Sequence, residues 1–180
     1  MKKILIISPH PDDETLGAGG TLIKFKKKKL FWLNITDMKE EFGYSNEQIN
    51  RRKIEVKKIS KIYNFKKSIH LGLPANQLDQ IPMDQIIKKI KLVFDSLKPD
   101  TVFIPNPGDV HSDHNVIAKA SLACCKTFRN KNIKKIFLYE TLSETNFNFL
   151  ERKSFKPNYY FNITKSLNLK IKSLKIYKSE

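Results

Sequence analysis

The sequence predicts an α/β fold, a three-layer Rossmann-like sandwich with a mostly parallel sheet between its helices. Two observations support this prediction. Short apolar runs typical of buried parallel strands recur along the chain, and stretches with helical apolar spacing separate them. No internal repeat, linker or low-complexity segment interrupts the alternation, so we expect one domain over residues 1–180.

The predicted elements follow from these runs in chain order. Residues 3–8, "KILIIS", form a continuous apolar run that predicts a buried strand. The segment 15–29 carries glycines near its start and predicts a helix that packs closely on the sheet. Residues 83–98 place apolar side chains on one helical stripe. The remaining predicted strands span 30–36, 68–74, 100–106, 135–140 and 158–164, and the remaining predicted helices span 47–63, 115–128 and 165–178.

The chain is strongly basic, with a formal net charge of +16 from 34 Lys and Arg against 18 Asp and Glu. Almost all of the basic residues are lysines scattered along the chain. The densest run, "KFKKKK" at 24–29, lies where the first helix is predicted to end, and lysines there suit the helix dipole. No recognised nucleic-acid motif or base-stacking aromatic pattern accompanies the charge, so we expect no nucleic-acid partner.

Nothing in the sequence predicts a membrane span or a targeting segment. No apolar stretch approaches the roughly 18 residues needed to cross a bilayer. The apolar run Ile4–Ile7 is too short for the core of a signal peptide. The adjacent Cys124 and Cys125 lie in an apolar helical pattern and predict buried thiols in a reducing compartment. We therefore expect a soluble, cytoplasmic protein.

Two polar stretches that follow predicted strands hold most of the residues with chemical potential. They are "ISPHPDDETLGAGG" at 7–20 and "NPGDVHSDHN" at 106–115. Their titratable side chains are His10, Asp12, Asp13 and Glu14 in the first stretch and Asp109, His111, Asp113 and His114 in the second. The carboxyl ends of parallel strands share one sheet edge, so these stretches are expected to meet there. The remaining histidine, His70, alternates with apolar residues and is interpreted as structural.

The residue types in the two stretches favour a zinc site. Imidazole nitrogen and carboxylate oxygen suit this metal, and a catalytic zinc site uses three protein ligands plus a water. Two histidines and one aspartate fill that requirement. Asp12 and Asp13 are neighbours whose side chains point differently, so one can bind the metal while the other acts on the water.

The pair of motifs "PHPDDE" and "HSDH" resembles the signature of the LmbE/PIG-L family of zinc-dependent N-acetylglucosaminyl deacetylases. The segments "GAGGTLIK", "NITD", "RRKIE", "LGLP", "KPDTVFIPNPGD" and "YETLSET" also resemble family segments in family order. The likeness covers nearly the whole chain. Family members often continue for several tens of residues beyond the equivalent of Glu180, which implies a shortened C-terminal part.

The resemblance implies a role for each matching residue. Zinc, with Fe²⁺ or Co²⁺ as alternatives, would be held by His10, Asp13 and His114. Asp12 would be the general base, and His111 would stabilise the oxyanion as an imidazolium and serve as a candidate donor to the leaving amine. Asp113 would orient His111 and stabilise its charge. The candidate substrate contacts are Arg51, Arg52 and Asp109, and Glu14 is expected to bond within its own loop.

The implied function is removal of the acetyl group from an N-acetylated amino sugar or sugar conjugate. The expected context is surface-polysaccharide or glycoconjugate biosynthesis, with a small-molecule sugar as the partner. Two alternatives stay open: deacetylation of a low-molecular-weight thiol conjugate, and an inactive relative that only binds metal. The sequence also leaves homo-oligomerisation open.

Overall fold

A computed structural model describes residues 1–148 and 155–178 and centres on a five-stranded, all-parallel sheet. The strand order is β3-β2-β1-β4-β5. The strands are β1 (Lys3–Ser8), β2 (Lys29–Thr36), β3 (Lys67–Leu73), β4 (Thr101–Pro105) and β5 (Lys135–Tyr139). The helices are α1 (Asp13–Lys24), α2 (Asn46–Tyr63), α3 (Met83–Leu97), α4 (Ser112–Cys124) and α5 (Leu167–Leu174). The predicted α/β sandwich is confirmed.

Helices cover both faces of the sheet because its central strands are apolar on both sides. On β1, Leu5 and Ile7 face a core shared with α3 and α4. Ile4 and Ile6 face the opposite core, which α1 and α2 complete. Such burial on both faces explains why β1 is a continuous apolar run.

The strand order places a topological switch point beside β1. From β1 the chain builds outward through β2 and β3, then returns to pair β4 with the other side of β1. Ile4 of β1 pairs with Thr101 of β4, and Ile6 pairs with Phe103. The connections that leave these two neighbouring strands therefore open a crevice at the carboxyl edge, where α/β proteins bind ligands.

The helix boundaries refine the sequence expectations. α1 begins at Asp13 and ends at Lys24, so most of the lysine-rich run follows the helix rather than forming its last turn. Its glycines permit the expected close packing, because a Cβ at Gly17 would overlap the Tyr139 ring. α4 begins at Ser112, three residues before the predicted start, because His111 caps its first turn through the Asp113 amide.

The predicted strand at 158–164 is wrong. The described residues 155–163 form no strand and hold their place through aromatic packing instead. The Phe161 ring lies 5.6 Å from that of Phe25 and 5.5 Å from that of Phe137. After a 3-10 turn at Thr164–Ser166, α5 ends at Leu174, earlier than predicted. Among the described residues, no helix has the length and apolar character to cross a membrane.

Candidate active site

The two predicted stretches meet at the switch point. Residues between β1 and α1 carry His10 and Asp12, while residues between β4 and α4 carry His111. The rings of His10 and His111 have centroids 4.7 Å apart, and His114 lies 5.4 Å from His10. Residues about a hundred positions apart in sequence therefore share one site, as the sequence predicts.

Three side chains in this site form a compact donor cluster, with one nitrogen or oxygen each from His10, Asp13 and His114 within 4.8 Å of one another. The Asp13 carboxylate lies between the two imidazoles. Its Oδ1 is 3.3 Å from His114 Nε2, and its Oδ2 is 3.4 Å from His10 Nδ1. Asp13 and His114 are buried, whereas His10 is half-buried.

Asp109 lies beneath this cluster rather than in the lining of the cavity. Its Oδ2 is 2.8 Å from His114 Nδ1, and its Oδ1 accepts a 2.6 Å hydrogen bond from the Thr145 hydroxyl. The side chain is buried and does not line the cavity, so its substrate contact stays a prediction. A carboxylate on the second imidazole nitrogen is the usual way of orienting a metal-ligating histidine.

Asp113 contacts His111 through its backbone and not through its carboxylate. Its amide donates to His111 Nδ1 at 3.1 Å, which leaves the ring proton of neutral His111 on Nε2. The carboxylate accepts hydrogen bonds from the amides of Asn76 and Leu78 and lies 2.9 Å from His10 Nε2. The Asp113 amide thus bonds to His111 while the carboxylate bonds elsewhere, and the orientation and charge stabilisation of His111 by Asp113 stay a prediction.

The adjacent aspartates occupy different environments because the backbone turns sharply at Asp12. Asp12 has φ 136° and ψ −31°, a conformation that L-residues rarely adopt and that costs about 1–3 kcal/mol. Asp13 is buried in the donor cluster. Asp12 is half-buried and lines the cavity above it. The two side chains do point differently, as the sequence predicts.

The cavity has a volume of about 500 Å³ and opens over the donor cluster. Its lining includes His10, Asp12, Asp13, Met38, Tyr44, Gln48, Arg52, Asn76, His111, His114, Thr141 and Glu144. Arg52 is thus placed at the cavity, as predicted. Arg51 lies on the exposed side of α2, where its guanidinium is 3.4 Å from Glu47, and it does not line this cavity.

The carboxylates control the charge of the cluster. Burial opposes protonation of His10, but hydrogen bonds to Asp113 and Asp13 outweigh it and raise its pKa to about 9. Burial likewise opposes protonation of His114, yet Asp13 and Asp109 raise its pKa to about 10. Burial and the neighbouring imidazoles lower the pKa of His111. Two carboxylate-supported imidazoles thus sit beside a third that favours its neutral form.

Glu14 forms a buried link below the loop. Burial raises the pKa of its carboxyl group to about 7. Its Oε2 accepts the Asp12 amide at 3.1 Å, and its Oε1 accepts the Tyr177 hydroxyl at 2.8 Å. The predicted bonding of Glu14 within its loop is present, and the link to Tyr177 extends it to the turn after α5.

The donor set fits a divalent metal ion of borderline softness. Two imidazoles and one carboxylate are the ligand types of catalytic zinc sites. The support of His114 by Asp109 adds the outer partner that such ligands require. An alternative group of His10, His111 and Asp113 also lies within 4.8 Å, but both Asp113 oxygens already accept backbone amides, from Asn76 and Leu78.

Sequence reasoning misses the partners that only the fold brings to the site. These are the backbone amides of Asn76 and Leu78, the Thr145 hydroxyl and the Tyr177 hydroxyl. Backbone amides carry no residue-type signal, and Thr145 and Tyr177 lie far from either motif in sequence. The short spacing between Asp109 and His114 is the one signal that could have indicated the role of Asp109.

The fold and the site together define an α/β protein with a histidine–carboxylate centre in a cavity at the carboxyl edge of its parallel sheet. Residues 5–125 match the PIG-L family, described as GlcNAc-PI de-N-acetylase, and the chain belongs to this family. The resemblance of its motifs to LmbE/PIG-L deacetylases is therefore confirmed.

Two curated relatives are named as deacetylases, and a solved structure shares the fold. The chain is 25% identical over 196 positions to the diacetylchitobiose deacetylase of Thermococcus kodakarensis, covering 100% of this chain and 70% of that protein. It is 27% identical over 185 positions to the uncharacterised deacetylase YaiS of Escherichia coli, covering 99% and 91%. The crystal structure of the conserved protein TT1542 from Thermus thermophilus superposes with a TM-score of 0.79 at 24% identity, covering 100% and 80%.

Proposed function

We propose that this protein is a zinc-dependent hydrolase that removes the acetyl group from an N-acetylated amino sugar or sugar conjugate. The observation that carries the proposal is the His10, Asp13 and His114 cluster at the base of a cavity that also exposes Asp12 and His111. The deacetylase relatives support the reaction type. We place the activity in surface-polysaccharide or glycoconjugate biosynthesis.

The metal would be held by His10, Asp13 and His114. When bound, a zinc ion would polarise the acetyl carbonyl and lower the pKa of water from about 15.7 toward 7. Asp109 keeps the His114 ring in the orientation that directs Nε2 toward Asp13. The negative charge of Asp13 makes the pocket attractive to a cation, and its depressed pKa keeps it ionised.

The remaining residues supply the proton transfers of amide hydrolysis. Asp12 takes a proton from the attacking water as the new oxygen–carbon bond forms at the acetyl carbonyl. His111 directs its Nε2 proton toward the developing oxyanion, because its Nδ1 already accepts the Asp113 amide. The carbon–nitrogen bond then breaks as the leaving nitrogen takes up the proton that Asp12 removed from the water, which returns Asp12 to its carboxylate form. The products are acetate and a free amine.

The cavity lining suits a polyhydroxylated substrate. Arg52, Gln48, Asn76 and Glu144 place donors and acceptors around the reacting centre, with Met38 and Tyr44 among the less polar contacts. A mixture of polar groups and a few apolar or aromatic surfaces is appropriate for binding a sugar ring. We therefore propose Arg52, rather than Arg51 or Asp109, as the contact for substrate hydroxyls.

Acetate release with zinc-loaded protein tests the proposal. The panel comprises N-acetylglucosamine, N,N'-diacetylchitobiose, sugar nucleotides and N-acetylglucosaminyl thiol conjugates. We expect release from at least one amino sugar, and a loss of about 10²–10⁴-fold in Asp12→Asn with undiminished zinc. The matched control is Asp95→Asn, an exposed carboxylate of α3. Wild-type rates in Asp12→Asn would disprove the role of Asp12, and release from thiol conjugates alone would overturn the amino-sugar assignment.

A further inference from the structure

The peptide unit between Pro11 and Asp12 is held from both of its polar ends. The Arg52 guanidinium Nη1 donates to the Pro11 carbonyl at 2.9 Å. The Asp12 amide donates to Glu14 Oε2 at 3.1 Å. Both side-chain partners are buried, with 3% of Arg52 and none of Glu14 exposed. Rotation of this peptide unit would therefore break two hydrogen bonds that water cannot readily replace.

Two adjacent residues in the turn after α5 support these partners, one by a direct hydrogen bond to Glu14 and the other through Glu55, which lies beside Arg52. The Tyr177 hydroxyl donates to Glu14 Oε1 at 2.8 Å. The Lys178 amide donates to Glu55 Oε1 at 3.0 Å, and Glu55 Oε2 lies 3.8 Å from Arg52 Nε. Two chains of contacts therefore run in parallel from residues 177 and 178 to opposite ends of one peptide unit.

We infer that the turn at Tyr177 and Lys178 positions the general base Asp12, acting through Glu14 on one side and through Glu55 and Arg52 on the other. The inference rests on the proposed function, because it assigns its consequence to Asp12 acting on the water. Tyr177, Glu14 and Glu55 are positioning residues, since these hydrogen bonds lead to the backbone of Asp12 or its neighbours rather than to the donor cluster.

The backbone of Asp12 explains why such support is needed. Its φ of 136° is unfavourable for an L-residue, so the loop relaxes unless its surroundings hold it. The peptide unit that precedes Asp12 sets this φ together with the Asp12 Cα. If the unit rotates, the Asp12 carboxylate moves relative to the cavity while Asp13, in the first turn of α1, keeps its place. Loss of these hydrogen bonds is thus expected to impair the action of Asp12 on the water while the metal-ligand position of Asp13 is kept.

Kinetics can distinguish this role from a general contribution to stability. Tyr177 is not among the residues that line the cavity, and its hydroxyl bonds to Glu14, so substrate affinity is expected to persist without that hydroxyl. Small displacements of a catalytic group can reduce rates by up to about 10²-fold. Removing the hydroxyl should lower kcat at an unchanged KM.

The experiment compares Tyr177→Phe with Tyr139→Phe in the full chain. Tyr139 is also buried and donates one 2.8 Å hydrogen bond, to the Ile7 carbonyl, so its variant is a matched loss of a tyrosine hydroxyl. Three quantities are measured: kcat and KM for acetate release, bound zinc, and hydrogen exchange of the Asp12 amide by NMR in metal-free protein. Glu55→Gln and Glu14→Gln provide variants on the two chains of contacts.

For Tyr177→Phe we expect kcat about tenfold lower, unchanged KM and zinc content, and about tenfold faster exchange of the Asp12 amide. Tyr139→Phe should match the wild type in all three. Glu55→Gln should lower kcat in the same way, and Glu14→Gln, which keeps an acceptor for the amide, should retain more activity than Glu14→Ala. Equal behaviour of the two tyrosine variants, or unchanged Asp12 exchange in Tyr177→Phe, would overturn the inference.

Amide exchange also separates this inference from the proposed function. If the wild type releases no acetate but Asp12 exchange rises in Tyr177→Phe alone, the proposed function fails while the support of the peptide unit stands. If the wild type is active and Tyr177→Phe changes neither kcat nor exchange, the proposed function stands and the inference fails.

Discussion

At the residue scale, the site depends on giving two adjacent carboxylates different surroundings. Asp13 begins α1, so helical geometry and burial direct it at two imidazoles. Asp12 stands just outside the helix with a positive φ and lines the cavity. The positive φ at Asp12 leaves its side chain at the cavity, while Asp13 enters the first turn of α1. This backbone conformation supports the proposal that one dipeptide supplies both a metal ligand and a general base.

The contact between Asp109 and His114 predicts an effect on metal affinity. Asp109→Asn keeps the shape of the side chain but removes the negative charge 2.8 Å from His114 Nδ1. Loss of such an outer partner typically weakens metal binding by about 10–100-fold, and we expect a decrease in that range. Competition with a chromophoric chelator measures the affinity, with Asp95→Asn as the exposed control. Equal affinities in the two variants would show that Asp109 serves only the structure.

The sequence predicts the positions of some residues of the site but not of others. His10 and His114 belong to a residue type that occurs only four times in the chain, and with Asp13 they lie in stretches that follow predicted strands, so their pattern alone predicts that they meet. The position of Asp109 beneath His114, and of Arg51 away from the cavity, depends on side-chain packing at neighbouring positions. The amides that fix Asp113 come from the segment after β3 and carry no sequence signal. Such contacts follow from tertiary geometry.

At the element scale, the register of β1 against β4 sets the relative position of the two loops. Asp100, just before β4, fixes the beginning of this pair, because its Oδ2 accepts the amides of Lys2 and Lys3 at 2.8 and 3.0 Å. Its Oδ1 accepts the Thr101 hydroxyl at 2.7 Å. Burial opposes ionisation of Asp100, but these hydrogen bonds outweigh it and lower its pKa.

Asp100 therefore predicts a pH-dependent contribution to stability. We expect Asp100→Asn to lower the free energy of unfolding by about 1 kcal/mol at pH 7, since solvent screens a partly exposed group. The folded pKa lies below the unfolded value of about 3.9, so the contribution is present above that pH and declines as pH falls through the folded pKa. Urea unfolding from pH 7 to 3 measures it. Asp84→Asn removes an exposed carboxylate of α3 and should lower the free energy of unfolding by less. If the loss of unfolding free energy in Asp100→Asn, relative to wild type, grew on acidification, the prediction would be contradicted.

The sequence predicts an element well when the pattern of apolar residues within that element is enough to show how it is buried. β1 is recovered over its whole length because a strand covered on both faces must be apolar throughout. Residues 158–164 are rich in aromatic residues and include β-branched ones, a composition that also favours a strand. Their rings instead pack as a cluster with Phe25 and Phe137, and that outcome depends on partners distant in sequence. Composition there predicts neither the lack of strand pairing nor the exposure of Tyr159 and Tyr160, which are 56% and 76% exposed.

At the scale of the whole molecule, the proposed metal site joins two connections that leave neighbouring strands of the sheet. His10 and Asp13 follow β1, whereas His114 belongs to α4, which follows β4. A ligand that binds the folded state and not the unfolded chain stabilises by about 2.7 kcal/mol at a hundred times its Kd. For a chain of this size, each kcal/mol corresponds to about 2–4 °C in Tm.

Zinc added to chelator-treated protein should consequently raise Tm by about 5–10 °C at that saturation. His10→Ala removes a half-buried ligand and should lose most of the increase, because the remaining donors no longer form the three-ligand set. Asp95→Asn, on the exposed side of α3, should keep all of it. Differential scanning calorimetry at matched free zinc measures the shifts. If zinc binds at the proposed site, removal of His10 weakens its binding and reduces the increase in Tm. An equal rise in wild type and His10→Ala would therefore mean that zinc binds elsewhere.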